Sequence, residues 1–320
     1  MTKLSLTAAF GNYDRTAPLQ KGVVRPDGID LNVLTMTPSD IFFRMSRFQE
    51  FDVSEMSMGT HCYLLGTGDS PFVGIPAYLS RAFRHAMVYY NVDSGIEKPE
   101  DLNGKRIAIR EWGMTAVVWI VGILAEEYGL DIRSVDWVAA KEARVPIRMP
   151  EGARIRYMKT GENLSDLLDT GQVDVVLIHQ PLACFTEGSA RIKRMFPDYK
   201  DREIEYFRRT GVHPIMHCVV LLKDIYQRHR WVLGSMYEAL IEARRLAFQA
   251  LSNTQTLSTM IPFLPSAVDE TRLIFGDDFW PYGMDKNRPA LEKLITYAHQ
   301  QGLTPHRLNI EDLFGESVRD

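Results

Sequence analysis

The chain has 320 residues, of which 45% are hydrophobic and 24% are charged, and its formal net charge at pH 7 is −4. These values are ordinary for a globular protein, so they exclude a disordered, collagen-like or disulfide-rich small protein. The mild acidity favours neither nucleic acid nor an anionic membrane as a partner, and a length beyond about 250–300 residues predicts two lobes rather than one core.

Two further features of the sequence favour a cytoplasmic protein. The three cysteines, Cys62, Cys184 and Cys218, are far apart in sequence and cannot all pair, as expected for free thiols in a reducing compartment. Residues 1–10 lack the sustained apolar region of a signal peptide, and the longest apolar stretch, residues 116–125, is too short to span a bilayer. Homo-oligomerisation is left open.

Strand-like and helix-like segments alternate along the chain, a pattern typical of parallel or mixed sheets covered by helices. Strands are predicted at residues 4–10, 29–34, 51–53, 72–75, 83–90, 107–109, 135–138, 173–178 and 215–222. Helices are predicted from Ser39, from Ser54, and at residues 115–128, 164–168 and 231–251. The fold class is therefore α/β.

Two sequence strings resemble those of type II periplasmic-binding-protein folds. Residues 101–109 read DLNGKRIAI and residues 167–175 read LLDTGQVDV. The resemblance implies two lobes, each a mixed sheet flanked by helices, with a ligand cleft between them. Residues 1–92 and 218–320 are predicted to form a discontinuous first lobe, and residues 93–217 an inserted second lobe.

Three more strings resemble the 4,5-dihydroxyphthalate decarboxylase family. They are IPAYLSRAFRH at residues 75–85, MTAVVW at residues 114–119 and DFWPYG at residues 278–283. Ala77, Tyr78 and Phe279 depart from the family pattern, so the pocket for the aromatic ring is expected to differ. The resemblance implies non-oxidative removal of carbon dioxide from a small phenolic aromatic dicarboxylate, with protonation of the ring at the carbon that carries the departing group.

Such a reaction needs cations for the carboxylates, and Arg81 and Arg84 are the first candidates. A guanidinium group binds a carboxylate through two parallel hydrogen bonds. On a continuous strand the two side chains would point to opposite faces, so both reach one ligand only if the strand ends or bends near Phe83. The alternative is that both are solvated surface arginines.

Other residues are predicted to complete the substrate site. Thr115 begins a helix after a strand, where free backbone amides and the helix dipole attract anions, although it could simply cap that helix. Trp112 could stack on the aromatic ring or lie in the core. Asn12, in the turn after the first strand, and His213, near an inter-lobe crossing, are further candidates.

Histidines and carboxylates supply the acid–base candidates. His217 and His85 are preferred because similar strings of the family carry histidine at both positions. His179 follows an apolar strand that is expected to end at the cleft. Glu55 and Glu111 are possible bases, or carboxylates stabilised at helix starts.

The sequence predicts no cofactor and no metal. Neither H-E-x-x-H, paired C-x-x-C, G-x-G-x-x-G nor a P-loop is present. An alternative divalent-metal site would combine His213, His217 and Cys218 with Glu55 or Glu111. The alternative function is a non-catalytic solute-binding or sensing protein for a small organic anion on the same fold.

Overall fold

The computed structural model describes residues 2–316 and contains two mixed sheets. The first sheet has five strands in the order β2-β1-β3-β11-β4. These strands are β1 (Leu4–Phe10), β2 (Ile29–Thr35), β3 (Val53–Ser57), β4 (Phe72–Arg81) and β11 (Ile215–Leu222). Strand β1 pairs in parallel with β2 and β3, whereas β11 runs antiparallel to β3 and β4.

The second sheet has six strands in the order β10-β5-β9-β6-β7-β8. They are β5 (Val88–Asn91), β6 (Arg106–Ile109), β7 (Asp136–Ala139), β8 (Arg154–Tyr157), β9 (Val175–Leu177) and β10 (Ile192–Arg194). Strands β6 to β9 pair in parallel, and β5 pairs antiparallel with β9 and β10. The predicted α/β fold class with two mixed sheets is confirmed.

Eleven α-helices accompany the sheets in the described part of the chain. They are α1 (Ala17–Gln20), α2 (Pro38–Phe48), α3 (Met58–Gly66), α4 (Thr115–Tyr128), α5 (Leu164–Asp169), α6 (Ala183–Thr186), α7 (Tyr199–Thr210), α8 (Lys223–Arg228), α9 (Trp231–Leu251), α10 (Leu264–Phe275) and α11 (Arg288–Gln300). Between residues 2 and 316, none of these helices combines the length and apolarity that a bilayer span requires.

The strands divide between the sheets a few residues away from the predicted lobe boundaries. Strand β5 pairs in the second sheet although it precedes residue 92, and β11 begins in the first sheet before residue 218. The reason is that residues 83–90 do not form one strand, since a 3₁₀ turn at His85–Met87 separates the first-sheet strand β4 from β5. Residue 1 and residues 317–320 of the predicted first lobe lie outside the described residues.

Two predicted helix starts also differ from the structure. Residues 54–57 form the buried central strand β3 rather than the start of a helix, because β1 and β11 flank it on both sides. Helix α2 is capped by Thr37, whose side chain accepts a hydrogen bond from the Asp40 amide, rather than by Ser39. The first difference places Glu55 inside the sheet.

Edge strand β4 bulges against β11 beside His217. The register shifts on both sides of the His217–Ser80 pair, and β4 contains Pro76, which has no N–H for the ladder. Groups outside the sheet satisfy the carbonyls of the bulge. The Gly283 amide donates to Pro76, the Trp280 indole to Tyr78 and the Arg15 guanidinium to Leu79.

Helix α4 joins the second lobe to the first through a buried interface. The Trp119 indole has no exposed surface and donates to the Ile215 carbonyl at 2.8 Å. Its ring meets the Tyr297 ring of α11 edge-on, with centroids 5.7 Å apart. Gly122 allows this close approach, because a Cβ there would lie 2.2 Å from the Tyr297 ring.

We therefore predict that Gly122→Ala destabilises the protein, although alanine is the better helix former. Relief of the resulting clash costs about 1–3 kcal/mol, which outweighs the gain of about 1 kcal/mol in helix propensity. Gly234→Ala in α9 is the matched control, since nothing lies within 4 Å of its added Cβ, and it should stabilise slightly. Urea unfolding of both variants measures the difference; equal effects would contradict this account of the interface.

Candidate active site

A cleft of about 360 Å³ lies between the two sheets and receives side chains from both lobes. The first lobe and its crossing contribute Thr37, Ser39, Phe42, Ser57, Ser80, Arg84, Met216 and His217, among others. The second lobe contributes Arg110, Glu111, Met114, Thr115, Arg144, Ile147 and His179, among others. Polar and apolar groups are therefore mixed along its walls, as expected for a ligand with a ring and charged substituents.

His217 and Glu55 form a buried pair at this cleft. His217 Nδ1 lies 2.6 Å from Glu55 Oε1, and the His217 side chain is 19% exposed whereas that of Glu55 is fully buried. Because Nδ1 is held by the carboxylate, Nε2 is the ring nitrogen left for the cleft. The Phe42 ring meets the imidazole edge-on at a centroid distance of 4.8 Å and fixes its plane.

The Glu55 carboxylate is ionised despite its burial. Burial alone raises the pKa of Glu55, but hydrogen bonds from His217, Tyr13 and the Gly11 amide together lower it below its ordinary value of 4.5. The Gly11 amide donates to Oε2 at 2.9 Å and the Tyr13 hydroxyl to Oε1 at 2.7 Å. An ionised carboxylate that lies against Nδ1 orients the imidazole ring.

Three arginines make the cleft cationic. Arg84 contacts Met216 Sδ through Nε at 3.3 Å, and between residues 2 and 316 neither Arg84 nor Arg110 forms an ion pair. Burial lowers the pKa of Arg84 to about 10, with Glu203 acting in the opposite direction, so the group stays charged at neutral pH. Arg144, the third, is held mainly by Glu111.

Glu111 is an anchor for cations rather than a free base. Its carboxylate lies 3.0 Å from Lys141 Nζ and 3.5 Å from the Arg144 guanidinium, and its side chain is 6% exposed. Burial lowers the pKa of Arg144, while Glu111 raises it. Glu111 lines the cleft, and its carboxylate is engaged in these two ion pairs.

Thr115 lies at the cleft and also joins the two lobes. Met114, not Thr115, is the N-cap of α4, and no side chain caps that helix. The Thr115 hydroxyl lies 2.8 Å from Ser57 Oγ and accepts a hydrogen bond from the Gly59 amide at 2.9 Å. Met114, Thr115 and Ala116 line the cleft, so the positive end of the helix dipole faces it.

His179 lines the same cleft as a neutral imidazole. Burial, followed by the charges of Arg84 and Arg110 and by the nearby His217, lowers the pKa of His179 to about 4. Its Nδ1 is buried and has no hydrogen-bond partner among residues 2–316. At neutral pH this imidazole can therefore donate a hydrogen bond to a ligand hydroxyl or accept one from it.

Arg81 does not reach the cleft, which corrects the prediction of a two-arginine clamp. It is 6% exposed and donates to the backbone carbonyls of His213 and Pro281 and to the side-chain oxygen of Asn287. Strand β4 ends at Arg81 and the chain then turns, so the side chains of Arg81 and Arg84 point in different directions. Arg81 instead fastens the C-terminal segment to β4.

Four other predicted site residues either point away from the cleft or pack against neighbouring side chains. His85 lies between the rings of Phe196 and Tyr206, and His213 is stacked on Phe83 with centroids 4.9 Å apart. Trp112 touches the cleft wall, but its indole donates to the Gln301 carbonyl and packs edge-on against Trp137. Asn12 is exposed, whereas its neighbours Gly11 and Tyr13 turn inward toward Glu55.

Sequence reasoning missed Tyr13, Arg110 and Arg144. Arg110 directly follows β6 and Tyr13 follows β1 by three residues, so the rule that ligands bind at the carboxyl ends of strands points to both. Arg144 lies in an irregular segment after β7 and carries no comparable signal.

Of the residues of the alternative metal site, His217 and Glu55 lie together, but His213 and Cys218 do not join them. Within residues 2–316, no three His, Cys, Asp or Glu side chains are grouped so that they could hold a metal ion. His213 faces away from the cleft, and burial raises the pKa of the Cys218 thiol. The absence of a cofactor stays a prediction.

The fold and the cationic inter-lobe cleft define an α/β protein of the periplasmic-binding-protein fold that is suited to a small organic anion. An alkanesulfonate-binding protein from Xanthomonas axonopodis shares this fold with a TM-score of 0.53 and 13% identity, covering 98% of this chain and 99% of its own. The aliphatic sulphonate-binding protein of Escherichia coli has a TM-score of 0.52 and 12% identity, covering 98% and 92%. At these identities the likeness shows the fold alone.

Sequence comparison gives the family. No protein-family model matches the chain. The 4,5-dihydroxyphthalate decarboxylase of Comamonas testosteroni is 34% identical over 320 residues, which cover 98% of this chain and 97% of the relative. The enzyme of the same name from Pseudomonas putida is 34% identical over 224 residues, which cover 68% and 87%. The chain belongs to the 4,5-dihydroxyphthalate decarboxylase family, as its sequence strings predicted.

The buried Glu55 carboxylate predicts a specific pH dependence of stability. Its pKa is lower in the folded state than in the unfolded state, so its contribution is complete above about pH 4.5 and is lost as the pH falls through the folded value. Glu55→Gln should lower the free energy of unfolding by on the order of 2 kcal/mol at pH 7, and by progressively less below pH 4.5. Denaturant titrations from pH 7 to pH 3 measure this difference.

Glu238→Gln, at an exposed position on α9, is the control and should leave stability nearly unchanged. A difference between wild type and Glu55→Gln that stays constant down to pH 3 would show that folding does not lower the pKa of Glu55.

Proposed function

We propose that the protein decarboxylates a small aromatic dicarboxylate resembling 4,5-dihydroxyphthalate, without oxidation and without a cofactor. The observation that carries this proposal is the His217–Glu55 pair at a cleft with three arginines. The arginines can bind the two carboxylates of such a substrate, and the His217–Glu55 pair can transfer a proton to it. The names of both relatives support the same reaction.

Substrate binding follows from the charges of the cleft. Arg84 and Arg110 are free of ion pairs within residues 2–316, and a guanidinium can hold a carboxylate through two hydrogen bonds. The N-terminus of α4 adds a third attractive group. The side chains of Phe42 and Met216 supply apolar surface for the ring. The substrate is thus bound as a dianion.

The acid–base pair then performs the bond changes. Protonated His217 gives its Nε2 proton to the ring carbon that carries the departing carboxylate, while Glu55 holds Nδ1–H. The hydroxyl para to that carbon donates electron density to the ring, and His179 accepts a hydrogen bond from this hydroxyl. The bond to the carboxylate breaks, its electron pair restores aromaticity and carbon dioxide leaves. One proton is consumed in each turnover, and water returns it to His217.

The alternative of a non-catalytic binding protein leaves the acid–base pair unexplained. Binding an anion requires the arginines and the helix N-terminus, but not a buried carboxylate. Such a negative charge next to the cleft weakens anion binding unless a protonated imidazole lies between them. The position of His217 in front of Glu55 therefore favours catalysis.

Incubation with 4,5-dihydroxyphthalate tests the proposal, with release of carbon dioxide and of 3,4-dihydroxybenzoate as the measurements. We expect turnover by the wild type and a loss in kcat of about 10²–10⁴-fold in His217→Gln, with little change in KM, because the variant keeps the arginines. His306→Gln, which changes an exposed histidine, is the control.

Tight binding without turnover in the wild type would support the binding-protein alternative and contradict the proposal. The same assay is repeated after treatment with a chelator. Activity that disappears and returns with an added metal ion would refute the absence of a cofactor.

The arginine sites make a separate prediction about substrate affinity. Arg84→Gln removes a guanidinium from the cleft and should raise KM about 10–100-fold, because a charge-assisted bidentate contact with the substrate is lost. Arg47→Gln changes an exposed arginine at the end of α2 and should leave KM unchanged. Steady-state kinetics of both variants measure the effect. An unaltered KM in Arg84→Gln would remove Arg84 from the substrate site.

A further inference from the structure

Tyr13 shares the Glu55 carboxylate with His217. The Tyr13 hydroxyl donates to Glu55 Oε1 at 2.7 Å, and His217 Nδ1 lies 2.6 Å from the same oxygen. The Gly11 amide occupies Oε2 at 2.9 Å. Burial and the neighbouring Glu55 raise the pKa of Tyr13, so its hydroxyl keeps its proton and acts only as a donor toward the carboxylate.

The surrounding residues fix Tyr13 in this position. Gly11 leaves room for it, because a Cβ at residue 11 would lie 2.6 Å from the Tyr13 ring. Arg15 covers the ring, with its guanidinium carbon 4.3 Å from the Tyr13 centroid and 4.4 Å from that of Trp280. Its Nε also donates to the Leu79 carbonyl at 2.8 Å, in the bulge of β4. A planar cation held between two rings and a carbonyl is a rigid support.

We propose that Tyr13 is a positioning residue that makes His217 a stronger acid by taking up part of the Glu55 carboxylate, and that Arg15 holds Tyr13 in place. The catalytic meaning of this inference rests on the proposed function, in which His217 delivers a proton to a ring carbon. Tyr13 itself does not line the cleft, so it acts through Glu55.

The direction of the effect follows from competition for one oxygen. A carboxylate that already accepts two other hydrogen bonds attracts the imidazolium proton less than a carboxylate that His217 would have to itself. Protonation of an aromatic carbon is difficult, and a stronger acid accelerates it. Besides Glu55 and Tyr13, the charged or titratable groups near His217 in the cleft are His179, Arg84, Arg110, Arg144 and Glu111. Replacement of Tyr13 by phenylalanine leaves all of these side chains in place.

Tyr13→Phe tests the proposal because it removes only the hydroxyl and keeps the ring on which Arg15 lies. The midpoint of His217 protonation, followed by NMR of histidine-labelled protein without substrate, should rise by about 0.5 pH unit or more. With substrate, kcat should fall about 10-fold and its pH profile should move in the same direction, while KM changes little. Tyr157→Phe, at an exposed position, is the matched control and should shift neither quantity.

Arg15→Lys is the second variant. It keeps the positive charge but loses the planar contact with both rings, so it should reproduce part of the Tyr13→Phe shift. The double variant should show no more than the Tyr13→Phe effect, because both changes act through one hydrogen bond.

An unchanged His217 midpoint in folded Tyr13→Phe would overturn the proposal, whatever the enzyme does with substrate. Because the NMR titration needs no substrate, it is independent of the proposed function. A wild type without turnover would contradict that function alone.

Discussion

The burial of one ionised carboxylate governs the architecture around the cleft. Glu55 has no exposed surface, and an isolated charge in that position would cost many kcal/mol. It is tolerated because three donors reach it, Gly11 and Tyr13 from the turn after β1 and His217 from β11. This requires β3 to lie between β1 and β11, which is the observed strand order. The sheet topology and the His217–Glu55 pair therefore depend on each other.

The C-terminal part of the chain supports this pair without entering the cleft. Trp280 and Gly283 donate to carbonyls of the β4 bulge, and Arg81 binds the Pro281 carbonyl and the Asn287 side chain. The bulge aligns Ser80 with His217 at the point where the ladder changes register. The family string at residues 278–283 therefore has a structural role, because its donors form hydrogen bonds with backbone carbonyls that the distorted edge strand leaves unpaired.

Local sequence patterns predicted most of the helices and strands. The positions of individual side chains could not be predicted in the same way, because they depend on where each strand ends. Helix α4, strand β11 and helix α9 have the predicted bounds, because apolar periodicity and flanking turn residues determine them locally. The two arginines of residues 81–84 were harder to place. The sequence predicts strands at residues 72–75 and 83–90, whereas β4 continues to Arg81 and a 3₁₀ turn at His85–Met87 interrupts the second predicted strand. Arg144, in an irregular segment, could not be found from sequence spacing.

Glu55 shows the same limit at the level of burial. Its neighbours Ser54 and Ser57 are typical of a helix start, and only pairing with β1 and β11 turns these residues into a central strand. Once the strand is central, the glutamate is forced into the interior and must be satisfied there.

The distribution of charge reconciles an acidic protein with an anionic ligand. The chain carries a net charge of −4, yet the cleft contains three arginines and the N-terminus of α4. Of the two carboxylates at this site, Glu111 is paired with Lys141 and Arg144, and Glu55 lies behind His217. Each negative charge is thus covered by a cation or by an imidazole that can become one. A small anion that enters the cleft therefore meets the positive charges of the arginines and of the helix N-terminus before it meets the carboxylate of Glu55.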